Sequence, residues 1–256
     1  MGADRGIIRI SVRNLVEFVM RGGDIDNRRT SAAEKDAMQA GSRMHRKIQK
    51  RQGADYHAEV SMKHRVEQEE YQILVEGRAD GVIETVSGVT IDEIKCVYMD
   101  IHQMEEPLPV HLAQALCYGY MYCCDHENVN TITIQITYCN LETEEIRRLK
   151  QDKTREELET WFAGLIHEYV KWAEYLYRHT LRRDESLREL EFPYAYRAGQ
   201  KELAVSVYRV LARKRNLFIQ APTGIGKTLS VVYPSLKSMG NGTGEKLFYL
   251  TAKTIT

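Results

Sequence analysis

The stretch EGRADGVIETVSGVTIDEIKC, residues 76–96, places Asp80, Glu93 and Lys95 within sixteen residues. Glu93 and Lys95 are two apart, so in a strand their side chains leave the same face. If the segments on either side of Ser87–Gly88 pair antiparallel, Asp80 and Glu93 converge on one divalent cation with Lys95 beside it. Oxygen ligands suit Mg2+ or Mn2+. Such an ion binds a phosphate oxygen, lowers the pKa of an attacking water and offsets charge in the transition state. Lys95 would orient that water or help to deprotonate it. These residue types match phosphodiester hydrolysis. They also occur together in many solvated hairpins, so composition alone leaves a purely structural reading open.

A second chemical signal lies in RNLFIQAPTGIGKTLSVVYPSLKSM, residues 215–239. LFIQA predicts a strand, PTGIG a loop and KTLSVVYPSLKSM a helix, the context a phosphate-binding loop requires. Thr223, Gly224 and Gly226 form the loop, whose backbone N–H groups would close around the phosphates of ATP. Lys227 would reach the β and γ oxygens, and the Thr228 hydroxyl would join Mg2+. Ala221 stands at the first position of the general G-x-x-x-x-G-K-T pattern. Pro234 interrupts the helical pattern and is expected to kink it.

The elements that must position these residues follow from periodicity. SVRNLVEFVMRGGD predicts a short helix capped by Ser11, with Leu15, Phe18 and Val19 as its apolar side and Gly22–Gly23 as its end. The next helix starts at the capping-box pair Ser31 and Glu34, carries a thin stripe of Met38, Met44 and Ile48, and stops at Gly53. YQILVEGRADGVIETV and VTIDEIKCVY predict adjacent strands. HLAQALCYGYMYCC is apolar nearly all round and predicts a buried helix. In NTITIQITYCN, Ile132, Ile134, Ile136 and Tyr138 alternate with polar residues, which predicts a half-covered strand. Thr154 and Glu157 open a long helix whose face is Leu158, Trp161, Phe162, Leu165, Tyr169, Trp172 and Leu176. The charge-rich RRDESLRELE marks the expected boundary: domain one at 1–182, a linker at 183–191 and a second domain at 192–256.

GRADGVIETVSGVTIDEIKCV resembles the core of the PD-(D/E)XK nuclease superfamily, above all its RecB-type exonuclease branch. Residues 11–23 resemble that branch's opening helix, GSRMHRKIQ sets His45 where its upstream metal-binding histidine stands, and QALCY supplies Gln114 and Tyr118 as its Q-x-x-x-Y element. The resemblance implies that His45, Asp80 and Glu93 bind metal, with the Ile94 carbonyl a further ligand. It implies that Lys95 is catalytic and that Gln114 and Tyr118 lie by the DNA backbone and active site. Glu59, before the first expected strand, is a candidate secondary contact.

EFPYAYRAGQKELAVSVYRVLARKRNLFIQAPTGIGKT resembles the opening of DinG-type superfamily 2 DNA helicases, kin of the XPD helicases, in which Ala at the first loop position is familiar. Phe192, Arg197 and Gln200 match the approach to the loop, and the resemblance implies that Gln200 contacts adenine. EKLFYLTAKTIT resembles the following strand and the start of a segment that touches single-stranded DNA. The expected fold is therefore α/β, a restriction-endonuclease-like nuclease core followed by an incomplete RecA-like P-loop NTPase domain. The chain is expected to be the N-terminal piece of a longer helicase–nuclease and to hydrolyse ATP poorly itself. Expected partners are ATP and DNA, single-stranded or with single-stranded ends. An alternative makes the first domain a non-catalytic DNA-binding or docking module; a third reading is a non-helicase P-loop ATPase.

The totals set bounds on these expectations. Among 256 residues, 36 basic and 36 acidic side chains give zero formal charge, so any nucleic-acid contact must rest on a local patch. The five cysteines include no C-x-x-C pair. That argues against a disulfide framework or zinc knuckle, and fits a reducing, cytoplasmic setting. An iron–sulfur cluster, present in some RecB-type relatives, is expected only in a missing C-terminal part. Cys123 and Cys124 are expected in the core. No stretch approaches the length of a membrane span.

Overall fold

A hairpin sits at the centre of residues 6–173. The structure is a computed structural model that describes residues 6–22 and 32–250, with the side chains of 32–38 outside the description. These residues divide into two compact units, 6–173 and 174–250. The first holds a six-stranded sheet: β1 (Ile7–Ser11), β2 (Tyr56–Glu67), β3 (Gln72–Thr85), β4 (Gly88–Val97), β5 (Thr131–Asn140) and β6 (Ile146–Thr154). The order is β1-β3-β4-β5-β6, with β2 paired to β3.

The expected strand pair forms β3 and β4, antiparallel about Thr85 and Gly88. β2 runs antiparallel to β3 from Gln72 to Ile83, so β1 and β4 must share β3's other edge. On that edge β1 pairs in parallel with residues 72–76, and β4 pairs only with 81–85. Residues 77–80 of β3 therefore face a gap in the ladder. β4 meanwhile stays on β5 in parallel all the way from Val89 to Val97. The sheet forks just where Asp80 and Glu93 stand.

Helices cover the fork. α1 (Val12–Val19) is capped by Ser11, whose Oγ accepts the Asn14 N–H at 3.1 Å. Its core face is Val12, Leu15 and Val16; Phe18, expected inside, is exposed and rests edge-on against Tyr169 and Trp172. α2 (Ala32–Lys50) buries Met44 and Ile48 against Ile94 and Cys139. The expected Ser31–Glu34 cap, Gly23 and Met38 lie outside the described residues and side chains. α3 (Pro109–Asp125) is the buried helix, covering Ala113 to Gly119 without a break. Cys123 is core, but Cys124, expected beside it, is exposed at the helix's last turn.

Three strands were not expected. β1 is only five residues, and β2 and β6 carry charges at many outward positions. β5, expected to be half covered, is buried on both faces from Ile134 to Asn140. It lies between β4 and β6, and Gln135 and Thr137 bond to Asp92 rather than to water.

α4 (Arg155–Glu189) opens on the expected capping box: Thr154 Oγ1 accepts the Glu157 N–H at 3.2 Å, and Glu157 Oε2 accepts the Thr154 N–H at 2.8 Å. Leu158, Phe162, Leu165 and Tyr169 are buried, whereas Trp172 and Leu176 are exposed. Most of 183–191, read as a linker, is helical, and the division between units falls at Ala173–Glu174 within α4. In the second unit α5 (Gln200–Ala212) packs on α6 (Lys227–Gly240), which runs through Pro234. The strand expected at 217–221 and the one within 246–250 are not strands here, and Phe218, Phe248 and Leu250 are strongly exposed. A strand is held by a ladder partner, and among the described residues these segments have none. Residues 251–256, expected to open a DNA-contacting segment, lie outside the described residues.

Candidate metal centre and phosphate-binding loop

The gap beside residues 77–80 leaves backbone groups to be satisfied by side chains. Ile94, two residues beyond Asp92, the last β4 residue paired with β3, donates its N–H to Asp80 Oδ2 at 2.7 Å. Its carbonyl lies 2.8 Å from His45 Nε2. The same nitrogen is 3.3 Å from Asp80 Oδ2, so His45, Asp80 and the Ile94 carbonyl form one tight group. α2 delivers His45 because Met44 and Ile48 clamp that helix onto Ile94.

Glu93 and Lys95 leave β4 on the gap side. Lys95 Nζ sits 2.8 Å from Glu93 Oε1 and donates to Gln114 Oε1 at 2.6 Å. Glu93 is buried, and its Oε2 has no hydrogen-bond partner among the described residues. Burial, then the charge of Asp80, pushes the Glu93 carboxyl up to about 7, against the pull of Lys95. Burial works against protonation of His45, but the hydrogen bond and charge of Asp80, with the Ile94 carbonyl and Glu93, leave its pKa raised.

Gln114 and Tyr118 come from one face of α3, as their spacing requires. The Tyr118 ring reaches the gap, where the Arg78 backbone bonds its hydroxyl. A Cβ on Gly77 would lie 2.6 Å from that hydroxyl, so the glycine is what admits the ring. Burial, then Glu93, raises the Tyr118 pKa. His45, Asp80, Glu93, Lys95, Gln114 and Tyr118 all line one cavity of about 600 Å³, together with Arg13, Ser42, Arg46, Glu59 and Arg78.

Ligand atoms of His45, Glu59 and Asp80 lie within 4.8 Å of one another, a group able to hold a metal ion. This differs from the expected set. Glu59 is on strand β2 rather than ahead of the first strand, with φ at 60°, and pairs with Arg78 at 2.5 Å. Glu93 stands outside the tight group, with Lys95 on its Oε1. The buried Glu93 Oε2, without a hydrogen-bond partner among the described residues, leaves an acceptor open on the same cavity wall. The donor set, carboxylates with one imidazole and a carbonyl, suits Mg2+ or Mn2+.

Behind the fork, a buried polar cluster escaped the sequence reading. Asp92 accepts from Gln135 at 2.8 Å, from Thr137 at 2.5 Å and from Tyr56 at 3.2 Å. Tyr56 also reaches the Asp80 carbonyl at 3.4 Å, and a Cβ on Gly81 would stand 2.1 Å from its ring. Burial raises the Asp92 pKa. The partners of Asp92 lie 36, 43 and 45 residues away, too far for a local sequence signal.

In the second unit, Gly224 (φ 90°) and Gly226 (φ 84°) adopt left-handed backbone at the start of α6, which favours glycine. Lys227 Nζ donates to the carbonyls of Ala221 and Pro222 at 3.0 and 2.9 Å. Arg197 bonds the Gly224 carbonyl. Gln200 is buried; its Oε1 accepts the Arg197 N–H at 3.0 Å, and its Nε2 lies 3.4 Å from the Gly226 carbonyl. The amide expected to meet adenine is thus engaged by the loop. Thr228 Oγ1 is 3.3 Å from the Tyr249 hydroxyl, and Thr223 is exposed.

No family model matches the chain. A stretch of 47 residues is 45% identical to a protein of Methanocaldococcus jannaschii named "Probable ATP-dependent helicase MJ0942", covering 18% of this chain and 7% of that relative. The likeness is therefore to a small part of a much longer protein. Among solved structures, the crystal structure of SSO0001 covers 66% of this chain and 76% of its own, with 16% identity and a TM-score of 0.42. Among the described residues no helix is long and apolar enough to cross a membrane.

Proposed function

We propose that residues 6–173 form a metal-dependent nuclease that hydrolyses DNA phosphodiester bonds, joined to the start of an ATP-driven DNA helicase. The observation that carries the first half is the meeting of His45, Asp80, Glu93, Lys95, Gln114 and Tyr118 in one cavity at the sheet fork. These residues are separated by up to 73 positions in the chain, yet line the same cavity. For the second half, support comes from the glycine loop at the head of α6 and from the partial likeness to a protein named as a helicase.

In this reading His45, Asp80 and Glu93 hold Mg2+ or Mn2+, with the Ile94 carbonyl adjacent. A bound ion would supply charge stabilisation at a phosphate oxygen and lower the pKa of a water. Lys95 orients the attacking water and holds positive charge against the phosphate, its ammonium aimed by Gln114. Glu93 must be ionised to act, which burial resists until a cation arrives. Tyr118 fills the gap and offers its hydroxyl to the substrate backbone.

The test is incubation of labelled single- and double-stranded DNA with the purified chain after EDTA treatment, then with Mn2+ restored. Cleavage that returns with the metal supports the nuclease. DNA binding without cleavage under any divalent ion would favour a docking module instead.

A further inference from the structure

The cavity at the fork does not end at Arg46. From Gly41 to Gly53 the chain carries five Lys or Arg residues and no Asp or Glu. Met44 and Ile48 turn inward, so Arg43, Arg46 and Lys50 share the opposite arc of α2 by their spacing of three and four, with half-buried Lys47 on its flank. Two grooves follow that arc: one of about 420 Å³ lined by Gln39, Ser42, Arg43 and Arg46, and one of about 440 Å³ lined by Arg43, Arg46, Lys47, Lys50 and Arg51. The metal-site cavity shares Ser42 and Arg46 with the first groove, and the first shares Arg43 and Arg46 with the second. The run is continuous.

Its charge is largely unspent. Lys47 pairs with Glu144, and Arg46 Nε bonds the Ser42 carbonyl, but Arg43, Arg46 and Lys50 have no carboxylate partner among the described residues. Arg43 to Lys50 spans about 10 Å along the helix, the length of two or three successive phosphates on one strand. A lipid surface needs an apolar rim beside the charge. None is exposed between Gln39 and Gly53.

We infer that this face of α2 is a track for the phosphate backbone of a single nucleic-acid strand, leading it past Arg46 into the metal site. The inference rests on the nuclease reading for its destination and on the basic grooves for its path. Each phosphate neutralised on a single strand contributes about 0.7 to the slope of log affinity against log salt. Losing two contacts lowers that slope by about 1.4, which at about 0.1 M salt is roughly 25-fold in affinity.

The experiment compares the full chain with its Arg43→Gln/Lys50→Gln variant. Binding of fluorescent oligothymidylate is followed by anisotropy across a salt series. Hydrolysis of bis(p-nitrophenyl) phosphate, a diester too short to reach the grooves, is measured with Mn2+. The track predicts the 25-fold loss and the shallower slope, with the small diester hydrolysed equally by both proteins. Unchanged affinity and slope, with the small diester still cut, would overturn the track and leave the nuclease standing. Displacement of the oligonucleotide by polyglutamate at equal charge concentration would also overturn it, assigning the face to acidic proteins. Failure of both proteins to cut the small diester contradicts the nuclease reading, and the delivery role with it.

Discussion

Asp80 Oδ2 takes the Ile94 N–H at 2.7 Å, across the point where β4 leaves β3. One carboxylate thus closes a broken ladder and stands beside the imidazole of His45. Structure and chemistry are separable here by an isosteric change. Asp80→Asn keeps an oxygen for Ile94 but removes the charge. It should leave the melting temperature near that of the parent while Mn2+ uptake, read by calorimetry, falls by at least about 10-fold. Equal uptake by the variant would place the ion elsewhere.

Glu93 makes stability depend on pH. Its folded pKa, about 7, lies above the ordinary glutamate value of 4.5, so folding favours the protonated form. The stabilisation is therefore full below about 4.5 and is lost as pH rises through about 7. Without divalent ions, the melting temperature should fall across that window more steeply than in Glu93→Gln. Saturating Mn2+ should flatten the difference, because the ion favours the carboxylate. Parallel curves for the two proteins without metal would contradict the burial argument.

Two glycines are fixed by the rings beside them. A methyl at Gly81 would enter the Tyr56 ring, and one at Gly77 would meet Tyr118. Gly81→Ala should cost about 1–3 kcal/mol in urea denaturation through overpacking. Gly81→Ala combined with Tyr56→Ala should recover part of that loss, since the clash is then gone.

The strand–turn–strand of 72–97, the buried α3 and the capped start of α4 were legible because each carries a strong local signal: alternation, an unbroken apolar run, or a Thr-x-x-Glu box. β2 and β6 were not. Lys63, Arg65, Lys150 and Asp152 point outward in step, but His64, Gln151 and Lys153 stand on the inward side, so neither strand shows a clear apolar face, and pairing with β3 and β5 sets them instead. Among the residues that line the cavity, those in short motifs and Glu59 were named from sequence, while Arg13 and Arg78 belong to no motif and come to it only through the fold. The Asp92 cluster joins three strands and has no local pattern at all.

The loop ahead of α6 belongs to the other unit. Lys227→Ala removes the ammonium now bonded to Ala221 and Pro222. It should weaken binding of a fluorescent ATP analogue by about 10-fold or more, yet leave Mn2+-dependent DNA cleavage within twofold of the parent. Loss of cleavage would mean that the two sites are not independent.

Lys95 is held between Glu93 and Gln114, and in the proposed nuclease it orients the attacking water. The decisive measurement is the Mn2+-dependent cleavage rate of a labelled single-stranded oligonucleotide by the parent chain and by Lys95→Ala. A metal-dependent rate in the parent that drops about 10²–10⁴-fold in the variant is the expected result. Equal rates in both, or no cutting by the parent with Mg2+ or Mn2+, would contradict a nuclease at the fork.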